Sequence, residues 1–281
     1  MMHMPATEIP TDPNCFNDIT GLVHCFARRE SGNRNKKIVF YLEGEEKTPP
    51  RPILIAQKQK DGKFYIFAVS TEEDPHLNRT MKKEKCHYIG KIRRTRIKKS
   101  KLVVSSLFVG TKEHKEQVAA TVYDSSTLRS QVVNGFPDRL VYSIVKTPEQ
   151  SSSMENPQVA GQQEQAASTS SQYPPMASCP RIDDVIRYHS GGISEIGELY
   201  DGLQVFRNRH RAESKHQGPF LIRFRGRGAR SSQRNIQIVH PSTGELVFQM
   251  ARWNEDEFTV DFKGPYTPCQ AFAIALAQLE S

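Results

Sequence analysis

Apolar and polar positions alternate in short runs along most of the chain, and a period of two places every second side chain on one face of an extended strand. Runs rich in β-branched and aromatic residues fall at 38–42, 53–57, 64–69, 88–92, 102–108, 118–123 and 140–145, then at 197–199, 220–224, 236–239, 246–252 and 258–262. Turn pairs such as Asp61-Gly62 and Asn134-Gly135 separate them. Roughly a dozen strands are predicted, too many for one open sheet without exposed edges.

The pattern changes near the end. Residues 270–279 (QAFAIALAQL) are rich in Ala and Leu, lack Gly and Pro, and follow Pro268, which predicts a helix. Between Ala271 and Ala277 that helix is apolar on nearly every side, and a helix without a polar face belongs in the middle of a fold. The expected architecture is mainly β: a closed antiparallel β-barrel of about twelve strands surrounding a hydrophobic C-terminal α-helix. A helix lying on one sheet face, or an amphipathic membrane anchor, are the alternatives.

Residues 149–180 are rich in Ser, Gln, Ala and Pro with few bulky aliphatics, too little apolar surface to offset ordering entropy. They are expected to form a disordered loop inserted in a single barrel domain, 21–281, behind a flexible segment, 1–20. The first residues lack the charged-then-apolar profile of a signal peptide. No apolar run approaches the ~20 residues that span a bilayer, so a cytoplasmic protein meeting membranes only peripherally is expected. Cys15, Cys25, Cys86, Cys179 and Cys269 are odd in number and scattered, which suggests reduced thiols rather than disulfides or a zinc site.

Charge adds a partner class. A net charge of +8 predicts attraction to polyanions: nucleic acid, anionic lipid head groups or acidic proteins. The excess is concentrated, since residues 82–101 hold ten Lys and Arg against one acid, Glu84. On a strand Lys91 and Arg93 are two apart and share a face, where an ammonium and a guanidinium fork can grip adjacent phosphates. A second basic set, Arg207, Arg209, Arg211, Arg223, Arg225, Arg227, Arg230 and Arg234, lies in the second half. It could extend a membrane-facing surface, hold a nucleic-acid backbone, or simply solvate a barrel exterior.

Residues 235–240 (NIQIVH), 247–250 (VFQM), 258–262 (FTVDF) and 270–276 (QAFAIAL) resemble, in order, the end of the tubby domain. Upstream, 88–93 (YIGKIR), 117–124 (QVAATVYD) and 220–226 (FLIRFRG) are similar to further tubby-family segments in the same order. The resemblance runs from about residue 21 to 281 and implies a closed barrel threaded by the C-terminal helix. It also implies that Lys91 and Arg93 contact phosphoinositide, with Lys115 aligned to a third basic position where the family often has Arg. Arg94, Arg96, Lys98, Lys99, Arg223 and Arg225 would be an auxiliary basic surface, or a solvated face; a nuclear localisation signal is a further reading of the 91–101 run. Where family members place an Asn beside the head group, this chain offers Phe64, or Lys63 if the register slips by one, which leaves the preferred isomer open.

The implied function is a non-enzymatic module, binding phosphatidylinositol 4,5-bisphosphate at the inner face of the plasma membrane, with the nucleus or cilium as other locations. Ciliary trafficking proteins are implied partners, a monomer is expected, and no cofactor or metal is. No Walker loop, GxSxG elbow or HExxH is present, and Gly226-Arg-Gly228 lacks a third glycine, so the enzyme class is disfavoured. The rival is a nucleic-acid-binding or transcription-regulating protein using the same charges. Between 82 and 101 only Tyr88 is aromatic, a poor platform for stacking bases.

Overall fold

The computed structural model describes residues 21–30, 36–44, 48–69, 86–98, 101–111, 113–124, 132–133, 136–137, 140–146, 181–189, 191–209, 224, 226–227 and 230–280. Seven strands come first in the barrel: β1 (Val23–Glu30), β2 (Lys37–Leu42), β3 (Arg51–Lys58), β4 (Phe64–Val69), β5 (Cys86–Ile97), β6 (Leu102–Gly110) and β7 (Lys115–Asp124). A small separate pair, β8 (Val132–Val133) and β9 (Phe136–Pro137), precedes β10 (Leu140–Lys146). Two short helices, α1 (Ile182–Tyr188) and α2 (Ile196–Leu199), lead into β11 (Leu203–Asn208), β12 (Ile236–Val239), β13 (Leu246–Arg252), β14 (Glu257–Phe262) and the helix α3 (Pro268–Leu279).

Twelve strands close into one barrel, in the order β1-β14-β13-β12-β11-β10-β7-β6-β5-β4-β3-β2. The closing seam pairs β1 with β14 antiparallel from Val23↔Phe262 to Arg28↔Glu257. Among the described residues the shortest seam joins β11 to β12, pairing Arg207↔Val239 and Asn208↔Ile238. Alternation sets the inner face: Phe258, Val260 and Phe262 of β14 join the core around α3, while the intervening Asp261 faces outward.

Every residue of α3 is buried. Thr267 caps it, its hydroxyl accepting from the Gln270 amide while the Gln270 side chain accepts from the Thr267 N–H, and Pro268 occupies the first turn where its missing donor does no harm. Phe272 stacks on Phe40 of β2 with ring centroids 4.9 Å apart. Two polar side chains inside the barrel are satisfied: Gln270 donates to the Val118 carbonyl at 3.3 Å, and Gln278 accepts from the Tyr123 hydroxyl at 3.0 Å. At the other end Arg94 donates to the Glu280 carbonyl and Arg29 to the Leu279 carbonyl, while Lys36 and Lys58 pair with the Glu280 carboxylate. Cations there complement the negative end of the helix dipole.

α1 and α2 cover part of the outside, where Ile182, Val185, Ile186 and Ile196 pack on Leu102, Val104, Ala120, Val122 and Ile144 of β6, β7 and β10. Hence β6 is buried on both faces for most of its length.

The expected architecture is observed, with changes in detail. Residues 197–199, read as strand, form the helical turn α2, because Ile196 must reach the second core and Gly197 lies directly against Val205. β1 and β11 are strands that the run pattern did not mark. Of the run at 220–224 only Phe224 is described, outside any strand, and the loop expected at 149–180 and the segment 1–20 lie outside the described residues.

Candidate functional site

The site is built where β5, β6 and β7 run side by side. In β5, Ile66↔Gly90 is followed by Phe67↔Tyr88, so Ile89 is the extra residue of a β-bulge. In β7, Leu107↔Ala119 is followed by Phe108↔Gln117, which makes Val118 the extra residue of a second. Bulges change which way the following side chains point. With these two in place Ile92, Leu107 and Ala119 face the core, and Lys91, Arg93, Phe108, Gln117 and Lys115 share the outer face. Gly90 permits the close approach of β5 to β6, because a Cβ there would lie 2.3 Å from the Phe108 carbonyl oxygen.

Phe108 is only 5% exposed and forms the floor. The Lys91 ammonium lies 5.9 Å from its ring centroid and the Arg93 guanidinium carbon 5.2 Å, both in range for attraction to the ring face. Burial, then repulsion from Lys115, Lys63 and Arg93, hold the Lys91 ammonium below the usual lysine range, with Asp61 opposing. A lysine destabilised by neighbouring cations gains from a multiply charged anion that screens them all.

Among the described residues Arg93 is paired with one acid. Its Nη2 donates to Asp183 Oδ2 of α1 at 2.8 Å, yet its side chain stays 45% exposed. The other oxygen, Oδ1, accepts from the Ser106 hydroxyl and from Gln117 Nε2 at 2.7 Å, and the Asp183 amide donates back to Gln117 Oε1 at 3.2 Å. Beside Lys115 a cavity of about 690 Å³ lies between the β6–β7 turn and the start of α3, with Val109, Val118 and Cys269 among its walls. Burial pushes the Cys269 thiol up to about 12, so it is not a nucleophile at neutral pH. Among the described residues no three His, Cys, Asp or Glu side chains group to hold a metal ion.

Lys91, Arg93 and Lys115 are thus brought together. Arg94 is not: it lies on the opposite side of β5 and caps α3. Arg96 and Lys98 are exposed toward and beyond the end of β5, and Lys99, Arg223 and Arg225 lie outside the described residues. Phe64 pairs with Ile92 and turns into the core, 4% exposed, whereas Lys63 bears on Lys91 from the β3–β4 turn, paired to Asp61. Asp183, Ser106, Gln117 and Phe108 are contributors that no motif announced.

The second basic set does not act as one surface. Arg227 forms a fork with Glu43 at 2.7 Å from each terminal nitrogen, donates to Asp261 from Nε at 3.0 Å, and reaches the Cys25 carbonyl at 3.2 Å. Asp261, with no exposed surface, also accepts from Gln249 at 2.6 Å and bonds His24 Nδ1 at 2.8 Å. Burial opposes the charge of Arg227, but hydrogen bonds and attraction from Glu43 and Asp261 prevail and raise its affinity for the proton. This arginine is a staple joining β14, β1 and the end of β2, not a polyanion contact. Arg209 bonds Gln237 at 3.3 Å, and Arg211 lies outside the described residues.

A twelve-strand barrel around a buried helix, with a basic patch on the strand bearing YIGKIR, is accompanied by a match of residues 16–281 to the model of the Tub family. The chain belongs to the Tub family. It is 40% identical over 80 residues to mouse Tubby-related protein 2, covering 28% of this chain and 14% of that protein. It is 42% identical over 77 residues to human Tubby-related protein 2, 27% and 15% of the two chains. To Tubby protein homolog 1 of Caenorhabditis elegans it is 36% identical over 77 residues, 27% and 18%. These matches span less than a fifth of the length of the curated tubby relatives.

Proposed function

We propose that this tubby-family barrel is a non-enzymatic phosphoinositide-binding module. It takes the head group of phosphatidylinositol 4,5-bisphosphate between Lys91, Arg93 and Lys115 and tethers the protein to the cytoplasmic face of the plasma membrane. In that reading it serves as an adaptor for trafficking or signalling, ciliary transport included. The observation that carries it is the convergence of three cations on one outer face, two of them over the Phe108 ring, with Lys91 held below its ordinary lysine range by burial and by that company. Charge-assisted contacts to phosphate from a fork and a point charge together fix both position and orientation of a phosphorylated ring.

The test is co-sedimentation with vesicles of phosphatidylcholine carrying phosphatidylinositol 4,5-bisphosphate, against vesicles carrying phosphatidylserine at matched charge. Lys91→Ala/Arg93→Ala is expected to lose the preference for the phosphoinositide while melting at the wild-type temperature. Retention of that preference by the double variant would remove the assignment. In a salt titration against DNA and RNA the wild type is expected to release nucleic acid by physiological ionic strength; persistent tight binding would favour a nucleic-acid function instead.

A further inference from the structure

Arg93, one of the three proposed head-group contacts, has a carboxylate partner at hydrogen-bond distance, and that carboxylate is not a casual surface neighbour. Asp183 is 12% exposed, and its Oδ1 is held by Ser106 and Gln117, themselves 0% and 3% exposed. Pulling Asp183 out would strand two buried polar side chains, at a penalty that makes displacement by a ligand unfavourable. The arrangement therefore leaves Oδ2 permanently aimed at Arg93. A guanidinium has five N–H donors in a rigid fork, and the bond to Asp183 engages one terminal nitrogen. The remaining donors, carried by an exposed group lying across Phe108, stay available for an anion.

Resting on the phosphoinositide reading above, we propose that Asp183 is a positioning residue for head-group recognition: it orients the Arg93 fork before the lipid arrives. A long side chain on a strand otherwise samples several rotamers, and freezing one beforehand removes that entropy loss from the binding step. Asp183 is 90 residues from Arg93 in sequence and belongs to α1. The docked helix is thus part of the site rather than a cover for the barrel wall.

Asp183→Asn separates this role from a merely structural one. The amide oxygen of Asn can still accept from Ser106 and Gln117 and keep α1 docked. Its NH2 group then faces Arg93, donor against donor, and the fork loses its anchor. On the vesicles described above, D183N is expected to bind the phosphoinositide about tenfold more weakly than wild type, with unchanged binding to phosphatidylserine and an unchanged melting temperature. In an Arg93→Ala background the same change is expected to have no further effect. As a second measurement on the full chain, phenylglyoxal should modify Arg93 faster in D183N than in wild type.

Wild-type affinity in D183N, with Arg93→Ala impaired, overturns the positioning role and leaves the phosphoinositide reading standing. Tighter binding by D183N overturns it too and makes Asp183 a competitor for Arg93. Equal weakening on both lipids together with a lower melting temperature reduces Asp183 to a structural residue. A wild type without preference for the phosphoinositide takes down both readings.

Discussion

Two arginines on the outside of this barrel meet opposite fates. Arg227 is 22% exposed and surrounded by Glu43, Asp261 and a backbone carbonyl, so its charge is spent inside the protein. Arg93 is 45% exposed, shares one carboxylate oxygen, and lies among Lys91, Lys115 and Lys63, whose charges add to its own. The same side chain staples strands together in one place and leaves an open positive field in the other. What decides between them is the number of carboxylates that the fold delivers, which a count of basic residues along the chain does not reveal.

The largest effect should come from breaking the closed network. Arg227→Ala leaves Asp261 buried without its cation and is expected to lower stability by roughly 3–5 kcal/mol in urea unfolding, with head-group selectivity retained in the fraction that folds. The acid limb gives a second reading. Burial would raise the Asp261 carboxyl, but bonds from His24, Arg227 and Gln249 outweigh it and hold it below the usual carboxylate range. A carboxyl depressed in the folded state contributes stability above its unfolded value, near 3.9, and loses it as pH falls through the folded value. In R227A the acid-unfolding midpoint should therefore move to higher pH.

Breaking the open site should do the reverse. Lys91→Ala/Arg93→Ala is expected to leave stability within about 0.5 kcal/mol of wild type and to remove about 3 kcal/mol of phosphoinositide binding, roughly a hundredfold. A double variant that unfolded instead would place these residues with Arg227 among the structural set.

Gly90→Ala sharpens the comparison from the backbone side. The added methyl meets the Phe108 carbonyl oxygen at 2.3 Å, and relieving that clash must part β5 from β6. A loss of about 1–3 kcal/mol in stability is expected, with binding weakened because the floor under both cations moves; calorimetric melting with the vesicle assay would separate the two.

The smallest effect concerns Lys91 alone. A lysine held below its unfolded value disfavours the folded state while it is charged, and that penalty fades as pH rises through the folded value. Lys91→Gln is accordingly expected to raise the melting temperature slightly at neutral pH in low salt, and high salt should shrink the gain to the part due to burial as the repulsion is screened.

Against these contrasts one can see which parts were readable in the chain. Residues 270–279 betray their burial by composition alone, since no polar face remains for water, and period two placed Lys91 and Arg93 on one side of a strand. The bulges at Ile89 and Val118 leave no mark in the run pattern, although they decide that Phe108 and Gln117 join the patch. Partners distant in sequence are equally silent: Asp183 reaches Arg93 across 90 residues, and Glu43 reaches Arg227 across 184. Arg94 shows the limit of reading a charge run as a surface, because half of a strand's residues turn the other way, in its case to the end of α3. The three-residue run at 197–199 was too short for period two to tell a strand from a helical turn.

Among the described residues the junction of β11 with β12 is held by two ladder pairs, which makes the cylinder unequal around its circumference. A hoop under load parts at its narrowest weld. Breathing of this fold should therefore start there, exposing one flank of the central helix while the β5–β7 wall and its cationic face keep their shape.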